Sequence, residues 1–425
     1  MWNAESYPAL RISQSELEMN VVLIGTLDTK GPEIKYLRDR LQELGMATTV
    51  IDSGIMGEPL DIVPDIDHAE VATYAGTTIE ALRSAGTRGR AVAGMREAVK
   101  KLTLSLYKNG QLDAIVSMGG AEGAVMGAAA MMVLPVGVPK VLVSPIASGY
   151  HFFAPLVGTK DMMIVHSVVD ILGLNPVACT VFDNVAAAVA GMVRDGHALP
   201  PPEEGKKYVA MTMLGNTTTA VMAAKELLAE HGYEAVIFHS NGVGGPAMEE
   251  LAELGQFMGA IDFTTNEIYD PMVGGIHDGG PERLKRLGEL GLPQVVVPGC
   301  IDFSVWNAGT VPAVLNDRPV YDHNPEFTLV RASHEEMITL GEVMAERLNL
   351  AEAPLIIAVP TRGLSIPNVP EGPFWDPPAD AAFLESLRGH IREDIPIVTY
   401  ERHVNDPEFG REAARLFIQL MNSIQ

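Results

Sequence analysis

Residues able to hold a phosphate recur where apolar runs end. The first such run, VVLIGTLDTKG (21–31), passes into Gly25, Thr26, Asp28 and Lys30, and Pro32 then opens a helical pattern. Gly25 lets the backbone turn or a ligand approach closely. Asp28 or Thr29 can cap the helix, and Pro32 suits its first turn. A helix start carries free N–H groups and partial positive charge, which suits phosphate, and Lys30 adds a full charge. The spacing is neither Walker A nor Gly-x-Gly-x-x-Gly, so an ordinary capped turn with a solvated lysine is the competing reading.

Three further loops have the same character. DSGIMG (52–57) puts Asp52 and Ser53 after a second strand, where an acid either meets ribose hydroxyls or caps backbone amides. SMGGAEGAVMGAAAMM (117–132) runs from a strand into Gly119, Gly120 and Gly123 and then a small-residue helix, the strongest phosphate-loop candidate. Glu122 in that loop would repel phosphate unless magnesium lies between them. A long connection after the next strand carries Ser148, Gly149 and Lys160. The second half offers Gly244 and Gly245 before a helix, and the polar residues Glu267, His277, Asp302 and His323. These are either a second, metal-assisted polar site or turn and cap residues; no two candidate ligands sit four apart on a helix. Cys300 has no adjacent base in sequence to make it a nucleophile.

Short apolar runs must position these loops. Strands are predicted at 21–24, 48–51, 114–117, 141–144 and 178–182, with helices at 32–44, 91–107, 124–133 and 184–193. RDGHALPPPEEGKK (194–207) reads as a linker, dividing an amino-terminal domain (1–200) from a carboxy-terminal one (201–425). The pattern then restarts: 208–245 follows the same order of strand, Gly-polar loop, helix and strand as 21–57, as any two β-α-β units would. Later strands are predicted at 259–263, 294–297, 355–359 and 397–400, with helices at 281–290, 335–348 and 379–390. The class is α/β: two Rossmann-like domains, each a mostly parallel sheet flanked by helices.

Bulk composition narrows the partners. With 30 Lys and Arg against 54 Asp and Glu, the chain carries a net charge of −24, which disfavours nucleic acid and anionic membranes. The acidic start lacks a signal-peptide pattern, and no apolar stretch reads as a membrane span. Two cysteines, Cys179 and Cys300, fit a reducing cytoplasm. A homodimer is expected of so apolar a chain.

The set GTLDTKG (25–31), RGRAVAGM (88–95), GGAEGA (119–124), VGTKDMMIVHSVVDILGLN (157–175), FHSNGVGGPAMEEL (238–251), IDFTTNEI (261–268), GGIHDGGPERL (274–284) and HNPEFTLVR (323–331) is collinear with one family. The chain resembles the Tm-one-like ATP-binding domain family, an uncharacterised protein family that includes the amino-terminal inhibitor domain of the tomato mosaic virus resistance protein. The resemblance implies two Rossmann-like halves with ATP in the first. It implies a nucleotide site at Thr26, Asp28, Lys30, Ser53, Gly119, Gly120, Gly123, Ser148 and Gly149. The chain departs from the family's usual Gly-Gly-Ser-Gly-Gly-Thr loop, since Ala121, Glu122 and Ala124 remove a hydroxyl and add a negative charge.

The expectation is an ATP-type nucleotide with magnesium, Asp28 or Glu122 holding the metal. A second site in the other domain or in the cleft between domains would take a small acid or carbonyl compound, with Asp302, His323 and Glu267 in acid–base or metal roles. Two alternatives are a nucleotide-gated binding or regulatory module without turnover, and an enzyme working only at the second-domain site without ATP.

Overall fold

The computed structural model describes residues 19–147 and 154–424. Its chain contacts divide it into two compact units, Met1–Leu199 and Pro200–Gln425.

In the first unit, β1 (Asn20–Gly25), β2 (Ala47–Asp52), β3 (Ala114–Met118), β4 (Lys140–Ser144) and β5 (Met163–His166) form one sheet in the order β2-β1-β3-β4-β5. Every pairing is parallel. The central strands are continuous apolar runs because both faces are covered. Val22 and Ile24 point into one core with helices Arg88–Lys108 and Ala121–Met132. Val21 and Leu23 point into the other, with helices Leu27–Glu43 and Pro176–Asp195.

In the second unit, β6 (Lys207–Met213), β7 (Tyr233–His239), β8 (Ala260–Asp262), β9 (Gln294–Val296), β13 (Leu355–Pro360) and β14 (Ile397–Tyr400) form a parallel sheet in the order β14-β13-β9-β8-β6-β7. Between β9 and β13 the chain adds a small antiparallel sheet, in the order β10-β12-β11, of β10 (Phe303–Asn307), β11 (Val320–Asp322) and β12 (Phe327–Arg331). Numbered within each unit, both main sheets begin 2-1-3-4. In each, strands one and three are neighbours whose following connections leave in opposite directions. That divergence opens a crevice at the carboxyl edge, where ligands of such sheets bind. Both units are thus Rossmann-like.

Several expected elements differ. Residues 178–182 are not a strand but part of helix Pro176–Asp195, capped by Asn175 Oδ1 accepting from Val177 and Ala178 N–H. That helix is long and apolar enough to cross a membrane by length and composition, contrary to the sequence reading. It is nonetheless a layer helix: Ala178, Phe182, Val185, Ala186 and Val189 are buried in the unit's core, and Asp183 pairs with Arg40 at 2.8 Å. The expected helix at 281–290 shrinks to Arg286–Glu289. Helix Pro407–Ile424 was not foreseen; its Phe409, Ala413, Phe417 and Met421 share one buried face.

Candidate functional site

At the first unit's crevice, β1 ends on Gly25 and Thr26 begins helix Leu27–Glu43. Thr26 Oγ1 lies 3.1 Å from Thr29 Oγ1. Asp28 is half-buried and Oδ2 accepts from Gly57 N–H at 3.2 Å. The helix kinks at Lys30, whose ammonium donates to the Ile171 carbonyl rather than standing free. Asp52 is fully buried and tied within the protein. Its Oδ1 accepts from Leu27 and Gly54 N–H at 3.1 and 2.8 Å, and Oδ2 meets His68 Nδ1 at 2.9 Å. The capping reading of Asp52 therefore describes its contacts. Ser53, next along this edge, is fully buried and its hydroxyl has no partner among the described residues.

Gly119 and Gly120 follow β3. A Cβ on Gly119 would lie 2.8 Å from Gly123 Cα, so this glycine is required by packing of the turn against the helix. A Cβ on Gly120 would meet nothing within 4 Å among the described residues. Gly120 is the N-cap of helix Ala121–Met132 and supplies no side-chain acceptor. The other described helices of this unit with five or more residues all begin on a carboxylate, amide or hydroxyl oxygen: Asp52, Asp67, Thr78, Thr87 and Asn175. Helix Ala121–Met132 alone among them starts without one among the described residues, which leaves the N–H groups of its first three residues without a side-chain acceptor there. Glu122 in that turn is held by Arg88, Nε to Oε1 at 2.5 Å and Nη2 to Oε2 at 2.6 Å. The guanidinium offsets the charge that the sequence made awkward. Ser148 and Gly149 lie outside the described residues.

Asp28 and Glu122 do not form a ready-made metal cage. Among the described residues no three His, Cys, Asp or Glu side chains converge. A magnesium ion here fits only as a companion of phosphate, which would supply the remaining oxygens.

The second unit's edge is built differently. Arg283 is completely buried. It donates to both oxygens of Asp262 (2.5 and 2.8 Å), to Glu267 Oε2 (2.7 Å) and to Glu249 Oε1 (3.2 Å). Burial pushes the Glu249 carboxyl up to about 7, against the pull of Arg283. Glu267 Oε1 also accepts from Gly242 and Gly245 N–H at 2.8 and 3.2 Å, so it caps helix Gly244–Glu253. A Cβ on Gly245 would overlap Arg283 and Glu267. Gly245 thus admits an internal ion pair, Gly244 a close approach to the His239 backbone, and a carboxylate of the protein sits where a ligand anion would have to sit. Next to this cluster, His277 N–H donates to Asp270 Oδ2 at 2.6 Å. Burial pushes Asp270 up to about 8 and holds His277 down to about 4, with His239 adding to the latter.

Asp302 belongs to a separate buried network. Its Oδ2 accepts from Ser365 Oγ (2.7 Å) and Asn368 Nδ2 (3.0 Å), while Asn368 Nδ2 also donates to Asp380 Oδ2 (2.9 Å). Arg331 Nη2 donates to Asp380 Oδ1 at 2.6 Å, and Nη1 to the Asp302 carbonyl at 2.9 Å. His323 is exposed beside β11; a Cβ on Gly215 would be 3.9 Å from its ring. Glu267 and Asp302 therefore serve different hydrogen-bonded networks, and among the described residues no hydrogen bond joins either to His323. Cys300 is buried, and burial drives its thiol well above the usual range, which opposes a nucleophilic role. Arg88, Arg283 and Asp380 were not foreseen. Arg283 alone left a trace, a charged residue in an otherwise turn-like GGPERL.

Comparison with known proteins agrees along the whole chain. Residues 19–198 match the N-terminal domain, and residues 206–421 the C-terminal domain, of the uncharacterised protein family UPF0261. A UPF0261 protein of Clostridium tetani is 38% identical over 409 residues, spanning 95% of this chain and 100% of that one. The ToMV susceptible protein tm-1(GCR26) of Solanum lycopersicum is 30% identical over 423 residues, spanning 94% of this chain and 55% of the tomato protein. A crystal structure of a UDP-N-acetylglucosamine 2-epimerase aligns over 96% of this chain and 97% of its own, at 10% identity and a TM-score of 0.23, too low to support an argument. On the two domain matches and these identities, the chain belongs to uncharacterised protein family UPF0261.

Proposed function

We propose that the first unit binds an ATP-type nucleotide, with magnesium as its companion, in the crevice between the carboxyl ends of β1 and β3. The observation that carries this reading is the uncapped start of helix Ala121–Met132 opening beside Gly120. Free N–H groups and the helix dipole attract an anion there. The buried, unpartnered Ser53 hydroxyl on the same edge supports it. Thr26, Asp28, Lys30, Gly119, Gly123, Ser148 and Gly149 complete the proposed set. Lys30 reaches a phosphate only by leaving the Ile171 carbonyl. Asp28 is the better magnesium partner, because Arg88 already occupies both oxygens of Glu122.

The second unit supplies a separate small-molecule site at the carboxyl edge of its own sheet. Asp302 takes part through its buried network. His323 is the exposed candidate for proton transfer, and Glu267 holds the helix start rather than a substrate. The setting proposed is cytoplasmic, supported by two cysteines that form no disulfide. A homodimer is the proposed assembly, supported by exposed Val168, Leu172, Leu174 and Val177 beside edge strand β5.

Isothermal titration with ATP and magnesium tests the nucleotide reading. Saturable heat is expected, and its absence at millimolar nucleotide in folded protein overturns the reading. Phosphate release in the same sample separates an enzyme from a binder without turnover.

A further inference from the structure

A pocket opens in the second unit at the carboxyl end of β13, between that strand and helix Pro377–His390. Its wall is mostly apolar, formed by Val359, Pro360, Leu364, Trp375 and Phe383. One charged residue lines it, Asp380. We infer that this pocket binds a small primary amine with an apolar body, its ammonium group on Asp380.

Charge balance behind the wall supplies the reason. Asp380 and Asp302 share Asn368 Nδ2, at 2.9 and 3.0 Å, and face a single cation, Arg331. Two carboxylates against one guanidinium leave one uncompensated negative charge in a buried setting. Buried charge is costly unless paired. An ammonium entering from the pocket would supply the missing partner, and each Asp380 oxygen retains a second lone pair for it.

The network is also incompletely bonded. Asp302 Oδ1 and Asn368 Oδ1 are buried acceptors without a partner, and Arg331 Nε is a buried donor without one. All three residues are at least nine-tenths buried. Unfilled buried polar atoms are uncommon; the two acceptors call for a donor, which an ammonium is, whereas Arg331 Nε calls for an acceptor, and the three residues lie behind Asp380 in the network rather than in the pocket lining. The wall sets the rest of the ligand. Trp375 and Phe383 suit an aromatic or branched alkyl body, and an indole face favours a nearby cation. A ligand anion would meet the Asp380 carboxylate first, so the small acid expected from sequence does not suit this pocket. The inference deepens the second-site part of the proposed function and rests on it.

Phenethylamine, 2-phenylethanol and 3-phenylpropanoate, which share a body and differ in charge, test it by isothermal titration of the full chain. The amine is expected to bind at least about 10-fold more tightly than the alcohol, a difference of about 1.4 kcal/mol. The carboxylate is expected not to saturate. Asp380→Asn should bring the amine down to the level of the alcohol. Because that change disturbs a buried network, Ala381→Phe is the second variant. Ala381 is exposed, lines the pocket and lies outside the network. It should abolish binding of amine and alcohol alike while thermal melting stays unchanged. Equal affinity for amine and alcohol, preference for the carboxylate, no saturation by the amine at about 10 mM (weaker than any useful binding), or unchanged binding by Ala381→Phe overturns the inference. ATP titration of the same samples reports on the first unit alone, so failure of either reading is recognised separately.

Discussion

Replacing Gly120 by aspartate should move stability and nucleotide binding in opposite directions. Gly120 has the extended backbone of an N-cap (φ −67°, ψ −161°), and a side chain there meets no neighbour within 4 Å. Aspartate is among the best N-caps, and its charge complements the helix start, so the variant should gain about 0.5–1 kcal/mol. For a unit of this size that is a rise of about 1–4 °C in its melting temperature. The same carboxylate would occupy the space assigned to phosphate. Two like charges about 4 Å apart at an effective dielectric near 20 repel by about 4 kcal/mol, and screening reduces this, so ATP affinity should fall by about 100-fold or more. Calorimetric melting and isothermal titration measure both quantities on one sample. A melting temperature that rises while ATP affinity stays within twofold would place the phosphate elsewhere. A fall of several degrees would show that the turn is not the open cap described.

Three further perturbations have definite outcomes. Gly119→Ala, whose Cβ would press on Gly123 backbone, should destabilise the first unit where Gly120→Asp does not; urea melts compare the two. Arg283→Met leaves three buried carboxylates without their cation and should cost the second unit about 3–5 kcal/mol in urea unfolding, unless the acids take up protons. The third is a pH dependence set by Asp270, held at about 8 against an ordinary value near 3.8. Above about pH 6.5 His277 is neutral both folded and unfolded, while Asp270 keeps a proton only when folded. The folded state then binds more protons, so stability must fall as pH rises from 6.5 through 8. Differential scanning calorimetry should show that slope for the second unit and a smaller one in Asp270→Asn; equal slopes would remove Asp270 as its source.

The sheet strands were legible because parallel strands covered on both faces become continuous apolar runs, as in VVLIG and AIVSM. Strand β5 escaped notice because it is an edge strand with exposed or half-buried residues, so MIVH lacks a two-sided burial signal within a long polar connection. ACTVF reads as a strand by its β-branched and aromatic residues. Asn175–Pro176 before it, a cap and a favoured first helical residue, carried the better signal. The loops at the first crevice were found because glycine, proline and capping residues act locally. The second unit's networks were not, because their members meet only in space. Arg283 joins acids 16, 21 and 34 positions away, and no periodicity connects those separations. Gly244 and Gly245 imitate a phosphate loop in sequence, and only the overlap of an added Cβ with the His239 backbone at the first and with Arg283 at the second reveals their purpose.

The capping of helix Gly244–Glu253 by Glu267 gives the two halves unequal sensitivity to their surroundings. One begins helix Ala121–Met132 without a side-chain cap among the described residues, and the other has closed its helix start with a covalently attached tenant that cannot diffuse away. Simple inorganic oxyanions in the medium should therefore steady the first half as their concentration rises, since a species that binds only the native form raises its stability. The second half gains no such benefit, because its tenant is present at every dilution.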